Sequence, residues 1–293
     1  MPEFPDVTIY VESLRSRIVG HSLQKIRLIS PFVLRSTDPP LSSIEGKTIV
    51  GIRRIGKQIV WEFDDELFLV FHLMIAGRFH WKKSGAKASG KIGLAAFDFA
   101  ESTLLFTEAS SKKRASMHLV KGVHELAPFN KGGLEVFDGT LDDFRKALQS
   151  ENHTIKRALT DPRLFSAIGN AYSDEILHRA QLSPLQLTTR LDEGEIERLF
   201  RSIRETLIDW TDRLRQQTGK NFPEKVSAFH EEMAVHGKFA KPCPVCGTKV
   251  QRIVYAENEC NYCTKCQTGG KILADRSLSR LLKDDWPKTI DEL

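Results

Sequence analysis

Two places in this sequence combine residue types and spacings that could do chemistry. The first is the N-terminus, Met1-Pro2-Glu3. Proline is small enough for the initiator Met to be removed, which would leave a secondary amine at the start of the chain. An α-amino group titrates at about 8, so a substantial fraction is neutral and nucleophilic at cellular pH. Glu3, directly beside it, is placed to move protons. Three residues taken alone describe an ordinary N-terminus, which is the commoner case. The second place is a pair of C-x-x-C motifs, Cys243/Cys246 and Cys263/Cys266. Two such pairs, each on a tight turn, place four thiolates at the corners of a tetrahedral zinc site with no open position, so the expected ion is one structural Zn2+. Cys260 is the spare thiol and could compete as part of Cys260-x-x-Cys263.

These groups need elements to hold them. After Asp6, Val7, Val11, Leu14 and Ile18 recur at helical spacing. From about residue 22 to 120 the pattern changes to short β-type runs such as Ile59–Phe63, Leu67–Phe71 and Leu104–Phe106. A Pro/Gly-bearing stretch follows, and then helical segments at 141–148, 154–159, 173–180 and about 192–217. Residues 248–254 and 261–262 can form a β-hairpin between the cysteine pairs, and a short helix is expected near Ser277–Leu282. The expected fold is α+β and multidomain: an N-terminal helix plus β-sandwich (1–125), a linker (126–140), a helical domain (141–237), a zinc-ribbon hairpin (238–268) and a C-terminal extension (269–293).

Composition sets the context. The chain has 293 residues, 41% hydrophobic and 28% charged, enough to bury a real core in two domains of ordinary size. No run approaches the roughly 20 apolar residues that span a bilayer, and the first residues lack a signal-peptide pattern. A cytoplasmic protein, a monomer with no membrane partner, is expected. All five cysteines lie between 243 and 266, which argues for metal rather than a disulfide scaffold. A net charge of +5 permits a nucleic-acid partner without demanding one.

The ordered set of motifs resembles the formamidopyrimidine-DNA glycosylase / endonuclease VIII (Fpg/Nei) family over about residues 1–267. The residues that carry the resemblance are Pro2-Glu3-Phe4-Pro5-Asp6-Val7, Gly56-Lys57, His72-Leu73-Met74-Ile75-Ala76-Gly77-Arg78, the helix–two-turns–helix signature Ile168–Leu177 and the closing zinc ribbon. The resemblance implies base excision repair of damaged DNA. Pro2 would attack C1′ of the damaged nucleotide and form a Schiff base, with Glu3 protonating the sugar ring oxygen and β- then δ-elimination cutting the strand. Lys57 would hold a phosphate, with Asp6 in support. His72, Arg78, Lys112, Lys113, Arg114, Asn170 and Tyr172 would contact DNA, and Met74, Ile75 or Met117 would wedge the gap left by a flipped base.

The sequence departs from the family at several points. The stretch Glu108–Met117 lacks the family's Arg–Phe pair that fills the gap. Asn258 stands where the zinc hairpin usually has a phosphate-gripping Arg, leaving Lys249, Arg252 or the C-terminal extension to compensate. Thr211–Lys225 lacks the loop that 8-oxoguanine-specific members close over the base. Ring-opened purines, oxidised pyrimidines, bulkier adducts and abasic sites all stay open as substrates. Two other readings are carried: a relative that binds damage without efficient cleavage, and a zinc-ribbon nucleic-acid binder of another kind. Arg276, Arg280 and Lys283, with Lys271, make the extension basic.

Overall fold

The computed structural model describes residues 1–224, 226–227, 229–255, 258–274, 280–281 and 287–292. The chain divides into two compact units. One comprises Met1–Lys131 with Trp210–Ser227; the other comprises Gly132–Asp209 with Ala228–Leu293.

The first unit begins with α1 (Phe4–Ile18). It starts earlier than the apolar periodicity suggests, because Pro5 sits in the first turn, where its missing N–H is no loss, and Asp6 completes a capping box with Glu3. The strands follow: β1 (Lys25–Leu28), β2 (Ile49–Ile55), β3 (Gln58–Phe63), β4 (Leu67–His72), β5 (Gly77–Lys83), β6 (Gly93–Asp98), β7 (Ser102–Glu108) and β8 (Ser116–Lys121). They form two four-stranded antiparallel sheets, ordered β1-β6-β7-β5 and β2-β3-β4-β8. The core holds Trp61 and Phe71 from one sheet and Phe79, Phe97 and Phe106 from the other. Phe71 is the hub, its ring 5.2 Å from Phe79, 5.5 Å from Phe97 and 5.7 Å from Phe106, all edge-on, a geometry aromatic pairs favour. Val7, Tyr10, Leu14 and Ile18 of α1 join the same core. Sheet β2-β3-β4-β8 is apolar on its second face too. There Val60, Phe68 and Val70 pack under Leu126 and Phe129 of a 3-10 turn, so β4 reads as a continuous hydrophobic run instead of alternating.

The second unit contains α2 (Leu141–Gln149), α3 (Ile155–Thr160), α4 (Asn170–Arg179) and most of α5 (Glu193–Thr218). It closes with the hairpin β9 (Gln251–Tyr255) and β10 (Asn258–Tyr262), followed by α6 (Thr264–Thr268). The fold is the expected multidomain α+β one. Most of the expected C-terminal helix at 277–282, with Arg276 and Lys283, lies outside the described residues. Among the described residues, no helix is long and apolar enough to cross a membrane.

Candidate active site and metal centre

The first unit gathers the N-terminal candidates. Pro2 is buried, and Glu3 and Asp6 are 2% and 0% exposed. The Asp6 carboxylate accepts the Glu3 backbone N–H at 2.9 Å, so the helix cap itself fixes the residue beside Pro2. The terminal amine, carried here by Met1, titrates below its ordinary value. Burial is the main cause; the charges of Glu3 and Asp6 oppose it, and those of Arg78 and Lys57 reinforce it. The amine therefore lies within electrostatic reach of two carboxylates and two cations, all named from the sequence.

Lys57 is carried on the β2–β3 turn, where Gly56 takes φ +56. Arg54 braces that turn by donating to the Gly56 carbonyl at 2.8 Å, and its guanidinium lies over the Phe4 ring at 4.7 Å, tying the turn to α1. His72 ends β4. Burial, then the charges of Lys57 and His118, push it down to about 4, so it is neutral at physiological pH. Its Nδ1 accepts the Met74 N–H at 3.1 Å, which leaves the proton on Nε2. The turn that follows is tight. Gly77 N–H donates to the Leu73 carbonyl at 2.8 Å, and a Cβ on Gly77 would stand 2.2 Å from that oxygen, so only glycine fits. The turn presents Ile75, 59% exposed, while Arg78 holds it from below through the Ile75 and Gly77 carbonyls at 3.1 and 2.6 Å.

Met117 is not available as a wedge. It is fully buried on β8 opposite Phe71, inside the sandwich core, where strand alternation turns it away from solvent. The preceding basic loop is shaped by Glu108. That carboxylate, 1% exposed, accepts the N–H groups of Arg114 at 3.0 Å and Ala115 at 3.2 Å. Lys113 turns its ammonium back onto the Lys91 and Glu108 carbonyls, while Lys112 and Arg114 lie exposed on the loop.

In the second unit, Asn170 opens α4. The N–H groups of a first helical turn point along the axis and favour an anion. The Asn170 side-chain amide donates to the Glu259 carbonyl on β10 at 2.9 Å, linking this helix start to the hairpin. Tyr172 is fully buried in the first turn of α4, so its ring cannot meet DNA in this conformation. Below it, Asp174 is a buried hub. It accepts from Lys156 at 2.5 Å, from His236 at 2.8 Å and from the Asn261 N–H at 3.2 Å, and Lys156 also donates to the Asn170 carbonyl at 2.6 Å. Burial works to raise the Asp174 pKa, but the Lys156 charge and the His236 hydrogen bond overcome it and hold the carboxyl below its usual value. The Glu175 carboxylate accepts three consecutive main-chain N–H groups, Ala234, Val235 and His236, at 2.8–3.0 Å. Sequence reading missed Lys156, Asp174, Glu175 and His236. Their one signal was the charged pair Asp174-Glu175 within an apolar stretch.

The sulfur atoms of Cys243, Cys246, Cys263 and Cys266 all lie within 4.8 Å of one another. Burial opposes ionisation of Cys246, yet hydrogen bonds with Thr248 and Cys263 hold its thiol below the ordinary value, while burial and the neighbouring thiols hold Cys263 and Cys266 above theirs. Four convergent soft sulfur donors, with no carboxylate or imidazole among them, are compatible with a zinc site. Cys260 is outside this group. It is buried on β10 beside Asp174, and burial with that charge pushes its thiol well up. At the hairpin, Asn258 is exposed, and Arg252 pairs with Glu259 at 3.3 Å while lying over Phe239 at 4.3 Å, so the Glu259 charge is offset.

The formamidopyrimidine-DNA glycosylase N-terminal domain matches residues 1–114, and the formamidopyrimidine-DNA glycosylase H2TH domain matches residues 135–215. A formamidopyrimidine-DNA glycosylase of Wolbachia sp. subsp. Brugia malayi is 30% identical over 278 residues, covering 91% of this chain and 100% of that one. An uncharacterized formamidopyrimidine-DNA glycosylase-like protein of Mycobacterium tuberculosis is 37% identical over 151 residues, 52% of this chain and 94% of its own. Lactococcus lactis Fpg, solved in complex with DNA containing an abasic site, gives a TM-score of 0.80 at 27% identity, covering 91% of this chain and 99% of that one. Fold and site together define a DNA glycosylase of base excision repair. The chain belongs to the formamidopyrimidine-DNA glycosylase / endonuclease VIII family.

Proposed function

We propose that this glycosylase is bifunctional, excising a damaged base and then cutting the strand from its own N-terminal proline. The observation that carries the reading is the set of charges around the buried terminus: Glu3, Asp6, Lys57 and Arg78 all act on the Met1 amine, one residue from the Pro2 nitrogen. With Met1 removed, the Pro2 nitrogen attacks C1′ of the flipped nucleotide and the base departs with the bonding electrons. The Pro2 nitrogen loses its proton, and Glu3 protonates O4′ as the sugar opens, leaving an iminium. Loss of a C2′ proton then expels the 3′-phosphate, and a second elimination expels the 5′-phosphate. Lys57, with neutral His72 beside it, serves the phosphate next to the lesion. Asn170 and the first turn of α4 serve a neighbouring phosphate. Ile75 fills the vacated stack, and Lys112 and Arg114 approach the backbone. One structural zinc ion, held by Cys243, Cys246, Cys263 and Cys266, stabilises the hairpin.

The test is a duplex with a single abasic site. Products bearing phosphate at both new ends are expected, and rapid binding with an intact strand would overturn the lyase reading. That second outcome belongs to a damage-binding relative, which one observation favours: Asn258 and the ion-paired Arg252 leave the hairpin start without an uncommitted guanidinium among its described residues. A panel of ring-opened purine, oxidised pyrimidine and 8-oxoguanine duplexes ranks the substrates.

A further inference from the structure

His178 lies in the last turn of α4, 6% exposed, and its Nε2 is 3.2 Å from the Sγ of Cys243. Nothing in the mechanism uses this imidazole. Cys243 is one of the four convergent sulfurs and is itself 2% exposed, so the contact is shut away from solvent. A metal-bound thiolate carries no proton and can only accept. The hydrogen bond must therefore run from Nε2–H to sulfur, which fixes the tautomer of His178.

We propose that His178 is a positioning residue for the metal site, donating to Cys243 so as to hold that ligand and withdraw charge from its sulfur. Four thiolates around a divalent ion leave two net negative charges in a partly buried place, and an N–H donor aimed at one sulfur relieves that excess. A sulfur whose lone pair is engaged is also a weaker nucleophile toward electrophiles and oxidants. The donor comes from a helix whose first residue is Asn170, about 12 Å away at 1.5 Å per residue. One rigid element thus carries the Asn170 contact to β10 at its start and a ligand-steadying imidazole at its end. Loss of the metal would then disturb the seat of α4 as well as the hairpin.

This inference rests on the zinc reading, and the experiment separates the two. Metal content of the purified full chain is measured first; one zinc per chain is required, and its absence sinks the zinc reading and this proposal together. The ion is then exchanged for 113Cd. A through-bond coupling between the His178 Nε2–H proton and cadmium, across the hydrogen bond, is expected beside the couplings from the four cysteines. Cysteine couplings with none from His178 would overturn the proposal while leaving the metal site intact. Release of zinc to a chromogenic chelator under a thiol-reactive electrophile gives a second readout. His178→Phe should release zinc about tenfold faster or more, the range typical for loss of such a partner, with His178→Gln, which keeps an N–H donor, closer to wild type. Equal release from all three proteins would contradict it.

Discussion

Asp6 accepts the backbone N–H of Glu3 at 2.9 Å, with both residues almost wholly buried. One carboxylate thus caps α1 and fixes the main chain beside the amine. Asp6→Ala removes the acceptor and is expected to cost about 1 kcal/mol, the usual worth of a cap. Melting of the full chain should show it as a drop of about 3 °C. Strand cleavage should fall further than the stability loss explains, because Glu3 and Pro2 lose their seat. Asp6→Asn keeps an acceptor and should recover most of the stability. An Asp6→Ala protein with unchanged melting and cleavage would contradict the capping role.

Arg78 lowers the pKa of the terminal amine through its charge, as Lys57 does. The Pro2 amine freed by removal of Met1 attacks only when neutral, so single-turnover cleavage should rise with pH through its own pKa and then level off. Removing a nearby positive charge makes protonation easier. Arg78→Gln should therefore shift the rising limb to higher pH, in addition to any loss in rate. A limb that stays in place would show that the charge of Arg78 does not reach the amine.

Ile75 and Met117 separate two explanations of the wedge. Ile75 is 59% exposed, whereas Met117 is fully buried against Phe71. Ile75→Ala should leave thermal stability within about 0.5 kcal/mol, as exposed positions do, while weakening excision from duplex more than from single strands. Met117→Ala should cost about 2–5 kcal/mol through the cavity it leaves in the core. The reverse pattern would restore Met117 as the wedge.

The sequence was legible wherever one element declared its own period or spacing. The stripe Val7, Val11, Leu14 and Ile18 announced α1, and the two C-x-x-C pairs announced the metal cluster. Met117 was misplaced because a methionine beside a basic loop looks like a surface residue until strand pairing puts it opposite Phe71. Asp174, Glu175 and His178 escaped notice for the opposite reason. Polar residues on a helix normally mark its solvated face, yet α4 is buried nearly all round and its polar atoms meet partners far along the chain, at 234–236, 243 and 261. Such partnerships have no local period to read.

The Lys156–Asp174 pair is one of these long-range links, with Asp174 fully buried and Lys156 nearly so. Lys156→Met would strand a buried carboxylate, and a loss of about 3–5 kcal/mol is expected. The Asp174 carboxyl is held below its usual value, so its contribution is complete above the unfolded carboxylate's pKa of about 3.9 and fades as pH falls through the folded value. The stability gap between wild type and Asp174→Asn, from urea unfolding, should hold from pH 7 to about 5 and narrow below about 4. A gap that widens in acid would contradict this assignment.

The central claim is that Pro2 is the nucleophile, and borohydride trapping on a duplex with one abasic site tests it most directly. Intact mass must first show that Met1 has been removed, since a retained Met1 would block the amine. The account predicts a covalent enzyme–DNA adduct with wild type, its loss with Pro2→Ala, and at most partial trapping with Pro2→Gly. A correctly processed wild type that binds this duplex and forms no adduct, or a Pro2→Ala protein that traps as well as wild type, would contradict it.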